Sequence, residues 1–433
     1  MNKKLLVAAI AVATAASASA FAATPLGSAT QKGSLLIFPR VESLDATGDF
    51  ADASSDTLIQ ITNDSTRAVR LQCYWGTTEG NPFSSEGKLA TDKTGTTGGN
   101  TAGGKAPNAT LAAANRKSIR NNHYMDFAFT LTPNQPVSFW AGDLANTSVF
   151  NVLSTNVKAP QFNFFQDATQ SNAGELKCWA INSKQAEIHH NHLMGKATVV
   201  TFDKTTNANR NQAHEYNAWA FQAHYWEKKQ EYPTNSIHYS GKELPTPNVL
   251  SLNGKEYDQC PSLLAGQFIP TGHPFSKGFG NGKGSKTQVS IANCHEDMRE
   301  AGDSHITKLA YFTWNNDENK FSGADDCMGA WREIDLGESF GNFTYKTLKS
   351  DTAYFRAEPR ANSLCNQGSQ KAAMETDIEI SSIVGVQVND IGGVFQTSSN
   401  LVGLGSGIAS PYEKAAGKGE IMWEPTNGDV GKK

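Results

Sequence analysis

DTLIQITNDSTRAVRLQCYW, residues 56–75, spells two strands and the turn between them. Ile59 and Ile61 share one face of the first run, and Asn63-Asp64-Ser65-Thr66 supplies residues that favour a tight turn. Beyond it Val69, Leu71, Cys73 and Trp75 alternate with Arg70, Gln72 and Tyr74. Side chains point to opposite faces every second residue, so this is a hairpin with one apolar side. The same grammar continues outward. Ser34–Pro39 is a short apolar run closed by proline, and Phe127, Phe129 and Leu131 alternate before TPNQP at 132–136, with Val137 and Phe139 resuming after it. Hairpins with one polar face are the elements of a sandwich. The expected fold is mainly β: one or two antiparallel β-sandwich (Ig-like) domains with a short helix and long loops.

Further strands are expected at Leu176–Asn182, Thr198–Asp203, Leu309–Trp314, Asp377–Ile380 and Ile383–Val388. Residues 85–118 hold almost no large apolar side chain, cannot offset their ordering entropy, and read as an exposed loop insertion. The helix is expected near 212–229, where Tyr216, Ala220, Ala223 and Trp226 recur at helical spacing. Residues 230–300, rich in Pro, Gly, Asn and Lys, read as loop-dominated. The expected organisation is a segment at 1–22 that is removed, an N-terminal sandwich at 23–205 and a C-terminal β-rich region at 206–433.

The removed segment follows from its chemistry. Lys3 and Lys4 precede an apolar run from Leu5 to about Ala16, followed by Ala18-Ser19-Ala20 and Ala20-Phe21-Ala22. Charge, apolar run and small residues in that order form a signal peptide, and the run is too short to cross a bilayer. Export to the periplasm, cell surface or medium is expected, with no membrane span in the mature chain. The formal charge is −4 with no basic stripe, which gives no footprint for nucleic acid. Six cysteines in an exported chain argue for bridges. Local pairing favours Cys260–Cys294 and Cys327–Cys365, which leaves Cys73–Cys178; six cysteines allow fifteen full pairings.

Candidate chemistry is sparse. His190 and His192 would share one strand face, and with His214 and His224 they make a candidate transition-metal set. Asp317, Asn319, Asp325 and Asp326 alternate oxygen ligands in the manner of an irregular Ca²⁺ loop, although Lys320 stands where an EF-hand needs glycine. His295-Glu296-Asp297-Met298-Arg299 lacks the second histidine of a zincin helix. No Gly-x-Ser-x-Gly elbow or phosphate loop occurs. The eight tryptophans could include a platform for sugars, but most sit in apolar patterns that predict core packing.

Several segments occur in a set order: KGSLLIFP at 32–39, DTLIQITND at 56–64, WAIN at 179–182, NHLMGKA at 191–197, EYNAWAF at 215–221, KFSGADDC at 320–327 and NLVGLG at 400–405. Together they resemble a family of secreted bacterial proteins without an assigned activity. The resemblance implies a common fold and groups Asn191, His192, Glu215, Tyr216 and Asn217 in one polar cluster. The expected role is that of a secreted, non-catalytic β-rich protein in surface structure, adhesion or assembly, through self-assembly or a cell-surface partner. The alternatives are an extracytoplasmic metal-binding protein and a polysaccharide-active hydrolase.

Overall fold

The computed structural model describes residues 25–44, 53–77, 123–141, 172–203, 211–224, 248–274, 284–299, 307–360, 382–392, 395–405 and 419–424. The segment 1–22, the insertion 85–118, Asp377–Ile380 and Cys365, with the Cys327–Cys365 pairing, lie outside the described residues. Among those described, the chain is mainly β, with two four-residue helices.

The first sheet is built from β1 (Leu35–Leu44), β2 (Ala53–Asn63), β3 (Val69–Thr77), β4 (His123–Leu131), β5 (Pro136–Trp140), β6 (Asn172–Ile181), β7 (Leu193–Asp203), β8 (Gln212–Asn217) and β9 (Trp219–Phe221). Its pairings run β4-β3-β6-β1 on one side and β5-β2-β7-β8 on the other. The two runs meet along β1. Leu35–Ile37 pair with β9, a bulge falls between Phe38 and Val41, and Ser43 and Leu44 then pair with β2. A bulge bends its strand, so the sheet turns over on itself there. Leu36, Phe38, Ile59, Ile61, Leu71 and Phe129 fill the space enclosed. The alternation seen in residues 56–75 is therefore the inward face of a sandwich.

A second sandwich uses β10 (Val249–Ser251), β11 (Leu263–Phe268), β12 (Lys286–Asn293), β13 (Glu296–Asp297), β14 (Thr307–Asn315), β15 (Lys320–Met328) and β16 (Trp331–Asp335). After the helices α1 (Leu336–Ser339) and α2 (Tyr345–Leu348) come β17 (Ala353–Arg360), β18 (Ile383–Ile391), β19 (Phe395–Asn400), β20 (Val402–Leu404) and β21 (Glu420–Met422). The sheets are β15-β14-β17-β11-β20 and β16-β12-β18-β19, with a small β10-β21-β13 sheet beside them. Leu264, Val289, Ile291, Leu309, Tyr311 and Phe355 are buried in their shared core.

That core also contains Leu35, Ile37, Trp179, Trp219 and Phe221 from the first sheet. Before its bulge, strand β1 is thus buried on both faces, with Leu36 and Phe38 in one core and Leu35 and Ile37 in the other. Polar contacts tie the sandwiches together. The Trp331 indole N–H donates to the Pro39 carbonyl at 2.6 Å, and that of Trp219 to the Gly385 carbonyl at 3.0 Å.

Three expectations are corrected. The hairpins expected at 56–75 and 127–139 do not form: β2 pairs with β1, β5 and β7, and β3 with β4 and β6, so the turns after β2 and β4 each carry the chain across from one run of strands to the other. No helix forms over the described part of 212–229; the residues make β8 and β9 instead. His214 and Tyr216 are buried while Ala213, Glu215 and Asn217 are exposed, which is a period of two. The helical spacing of Tyr216, Ala220 and Ala223 is a coincidence of small and aromatic residues, and pairing with β7 and β1 overrides it. Residues 230–300 are not loop throughout, because β10 to β13 lie there. Thr287, Val289 and Ile291 face inward between polar neighbours, a pattern hidden by the surrounding Gly and Asn.

Cys73 and Cys178 are directly opposed on β3 and β6, with Cα atoms 4.1 Å apart, and are bonded inside the first core. Cys260 and Cys294 are bonded within the second. The first bridge closes a sequence separation of 105 residues. Replacing both Cys73 and Cys178 by serine should lower the unfolding free energy by about 2–5 kcal/mol. Chemical denaturation measures this, and an unchanged midpoint would contradict it.

Candidate functional site

The histidines of the candidate metal set are distributed over separate contacts. His190 Nε2 lies 2.9 Å from Asn63 Oδ1, and the Asn63 amide nitrogen donates to the Arg67 and Thr132 carbonyls. That amide orientation makes Oδ1 the acceptor, so His190 carries its proton on Nε2. The His192 ring is 5.2 Å from that of His190, but its Nδ1 is 3.0 Å from Asp64 Oδ1. His224 Nε2 is 2.8 Å from Asp258 Oδ1. His214 is buried on β8 near Arg40 and Glu42. Among the described residues, no group of three or more His, Cys, Asp or Glu side chains is arranged to hold a metal ion.

The polar cluster implied by resemblance also divides into separate fastenings. Asn191 accepts from the Ala223 N–H at 2.8 Å and donates to its carbonyl at 2.9 Å, so a side-chain amide takes the place of a strand neighbour. The Tyr216 hydroxyl accepts from the Arg40 N–H at 3.1 Å and donates to the Arg40 carbonyl. Arg40 lies in the bulge of β1, where ladder partners are lost, and Tyr216 supplies both. Asn217 is held through its backbone by the Asn400 side chain, and Glu215 pairs with Lys196 at 2.5 Å on the surface. His192 stays with Asp64. These contacts hold strands in place, and they explain why KGSLLIFP, NHLMGKA and EYNAWAF meet in space. Gly195 belongs to the same junction: a Cβ there would lie 2.6 Å from the Phe38 ring.

The residues of the candidate Ca²⁺ set sit in the β14–β15 hairpin. Asn315 Oδ1 accepts from the N–H groups of Asp317 and Asn319. Asp325 pairs with Lys308 at 2.8 Å, and Asp326 with Arg332 at 2.6 Å. The Asp325 and Asp326 carboxylates are engaged by cations on other strands, and among the described residues the set does not converge on one point.

That hairpin also carries a surface feature the sequence reading passed over. On β14, Leu309, Tyr311 and Thr313 point into the core, while Phe312 and Trp314 are half-buried on the opposite face. On β17, Phe355 and Ala357 point inward, and Tyr354 and Arg356 share the outer face. Register places Trp314 opposite Tyr354 and Phe312 opposite Arg356. The Trp314 and Tyr354 rings stack at 5.3 Å with planes 6° apart. Lys320 Nζ stands 4.4 Å from the Phe312 centroid and 5.6 Å from that of Trp314. The Arg356 guanidinium lies 5.6 Å from both ring centroids, and that of Arg360 lies 4.8 Å from Phe312. Glu358 sits against the Arg356 Nε and 3.2 Å from Arg360. The result is a row of flat rings flanked by cations on the outside of a rigid five-stranded sheet. Of the tryptophans, Trp75, Trp179, Trp219, Trp331 and Trp423 are core residues, as their patterns predict; Trp314 is not. The missed signal is that LAYFTW and AYFR carry large side chains on both strand faces, which a solvated outer face does not require.

No protein-family model matches the chain, and no match is found among curated proteins.

Burial pushes His190 down to about 4, helped by the neighbouring His192, and pushes His214 down to about 4, helped by Arg40. Both are neutral in the native state, while the unfolded chain takes up their protons from about pH 6.5 downward. Their contribution is intact above pH 6.5 and is lost as pH falls to 4. Asp335 works in the opposite sense. Burial, then Glu338, pushes it up to about 6, so the stability it withholds at neutral pH returns below pH 6. Two histidines outweigh one aspartate, and these three groups together should remove roughly 4 kcal/mol between pH 7 and pH 4. His214→Gln should shrink the acid loss by about 3 kcal/mol. Denaturation at stepped pH measures this, and an unchanged slope in the variant would contradict it.

Proposed function

We propose that this chain is an exported, non-catalytic adhesive protein that holds a surface polysaccharide through the outer face of its five-stranded sheet. The observation that carries the proposal is the parallel, stacked Trp314–Tyr354 pair with Phe312 beside it, all on the solvent side of strands whose other side is core. Pyranose rings present flat C–H faces, and such a ring gains by covering an aromatic plane while its hydroxyls stay in water. A strand surface suits this because its side chains are spaced regularly and the core beneath keeps them in place. Export is supported by the charged and apolar order of residues 1–22 and agrees with the two bridges. Among the described residues, no helix is long and apolar enough to cross a membrane.

The metal-binding alternative would need His214 and His224 beside His190 and His192. The last two and His224 instead engage three different acceptors.

Retention on a panel of insoluble polysaccharides tests the proposal. The intact protein should be retained by at least one polymer, and Trp314→Ala should lose about tenfold or more in affinity, equivalent to one or two kcal/mol of stacking. Circular dichroism should be unchanged, because Trp314 lies outside the core. Retention equal in the folded variant would refute the platform as the binding surface.

A further inference from the structure

We infer that the polymer held by this platform is acidic, a polyuronate whose ring carboxylates meet Arg356 and Lys320. The inference rests on the adhesive reading and adds the charge of the ligand. Among the described residues three cations, Lys320, Arg356 and Arg360, border the rings; Glu358 is shared by the two arginines, and Asp325 beyond them is taken by Lys308. The chain as a whole has a formal charge of −4, so a positive island marks a local requirement. Cation–π attraction places a cation without neutralising it. Lys320 has no carboxylate partner among the described residues, and the Arg356 side chain is only 32% exposed. The guanidinium is therefore partly stripped of water and fixed in direction before any ligand arrives. Glu358 takes the Nε edge of Arg356, and the remaining N–H groups of the guanidinium, with the Lys320 ammonium, are left for a ligand carboxylate, which accepts charge-assisted hydrogen bonds more strongly than a neutral sugar hydroxyl does.

The rings beside the island also bear on the ligand. An inorganic polyphosphate offers the cations charge but offers the aromatic rings no apolar face to cover. A polyuronate sets a carboxylate beside each apolar ring face, an arrangement complemented by Phe312 and Trp314 on β14 with Arg356 on β17 and Lys320 on β15 beside them.

The experiment compares polygalacturonate, its fully methyl-esterified form and poly-dT as ligands for the intact protein. Polygalacturonate should bind, weaken on raising salt from 50 to about 500 mM as expected for a screened contact, and bind about tenfold or more tighter than the ester. Arg356→Gln and Lys320→Gln should each weaken polygalacturonate more than the ester, so that the acid-to-ester preference falls; an unchanged preference in both folded variants would overturn the inference. Equal binding of acid and ester would overturn the inference and leave the adhesive reading intact. Tighter binding of poly-dT than of polygalacturonate would overturn the inference in favour of a polyphosphate ligand. Absence of binding to any of the three would overturn the acidic ligand, and the neutral polymers of the insoluble panel then decide whether the adhesive reading also falls.

Discussion

Strand β1 has no solvent side. Leu36 and Phe38 enter the first core, Leu35 and Ile37 the second, and all four are fully buried. Each buried aliphatic or aromatic side chain of this size contributes roughly 1.5–3 kcal/mol relative to exposure, so one short segment anchors two cores. The bulge that follows turns the first sheet over and presents Arg40 to the second sandwich. There the guanidinium meets Glu42, Glu333 at 3.2 Å and Gln288 at 3.2 Å. Isolated, that cation would be expensive to bury; with two carboxylates around it, its proton is held more firmly than usual. Tyr216 closes the arrangement by bonding both backbone groups of Arg40. A second buried set, Lys177 between Glu175 and Glu296, joins β6 to β13. Burial, and then the nearby Glu296, drives the Glu175 carboxyl well above the usual range.

Much of this was legible in the sequence where the period was clean. Residues 56–75 state their strands, turn and inward face through Ile59, Ile61, Val69, Leu71, Cys73 and Trp75, but not their pairing, because alternation marks a face and does not name the neighbouring strand. The stretch 212–221 misled because its inward residues are His214 and Tyr216, which no hydropathy pattern marks as interior. Strand β12 hid for the same reason: its Gln288 and Ser290 face a polar interface and read as solvent-facing. Where two sheets meet through ion pairs, the binary code of apolar inside and polar outside loses its meaning. The platform failed to show for the opposite cause. Phe312 and Trp314 look like core residues by composition, and only the parity of Leu309 and Tyr311 assigns them outward.

The resemblance among segments takes on a physical sense in this fold. Gly33, Asn191, Gly195, Tyr216 and Phe221 gather at one junction around β1, where backbones approach closely and side-chain amides stand in for strands. A junction of that kind fixes the architecture and leaves function to surfaces remote from it. The outer face of β14 and β17 is such a surface, backed by core and free to carry rings and charges that the fold itself does not require.

The central claim is that β1 makes the two sandwiches a single cooperative structure, on which the platform stands rigidly. Differential scanning calorimetry of the oxidised protein at neutral pH tests it most directly. One transition is predicted, with calorimetric and van't Hoff enthalpies equal. Two separable transitions, one of them leaving the Cys73–Cys178 sandwich folded after the other has melted, would contradict it.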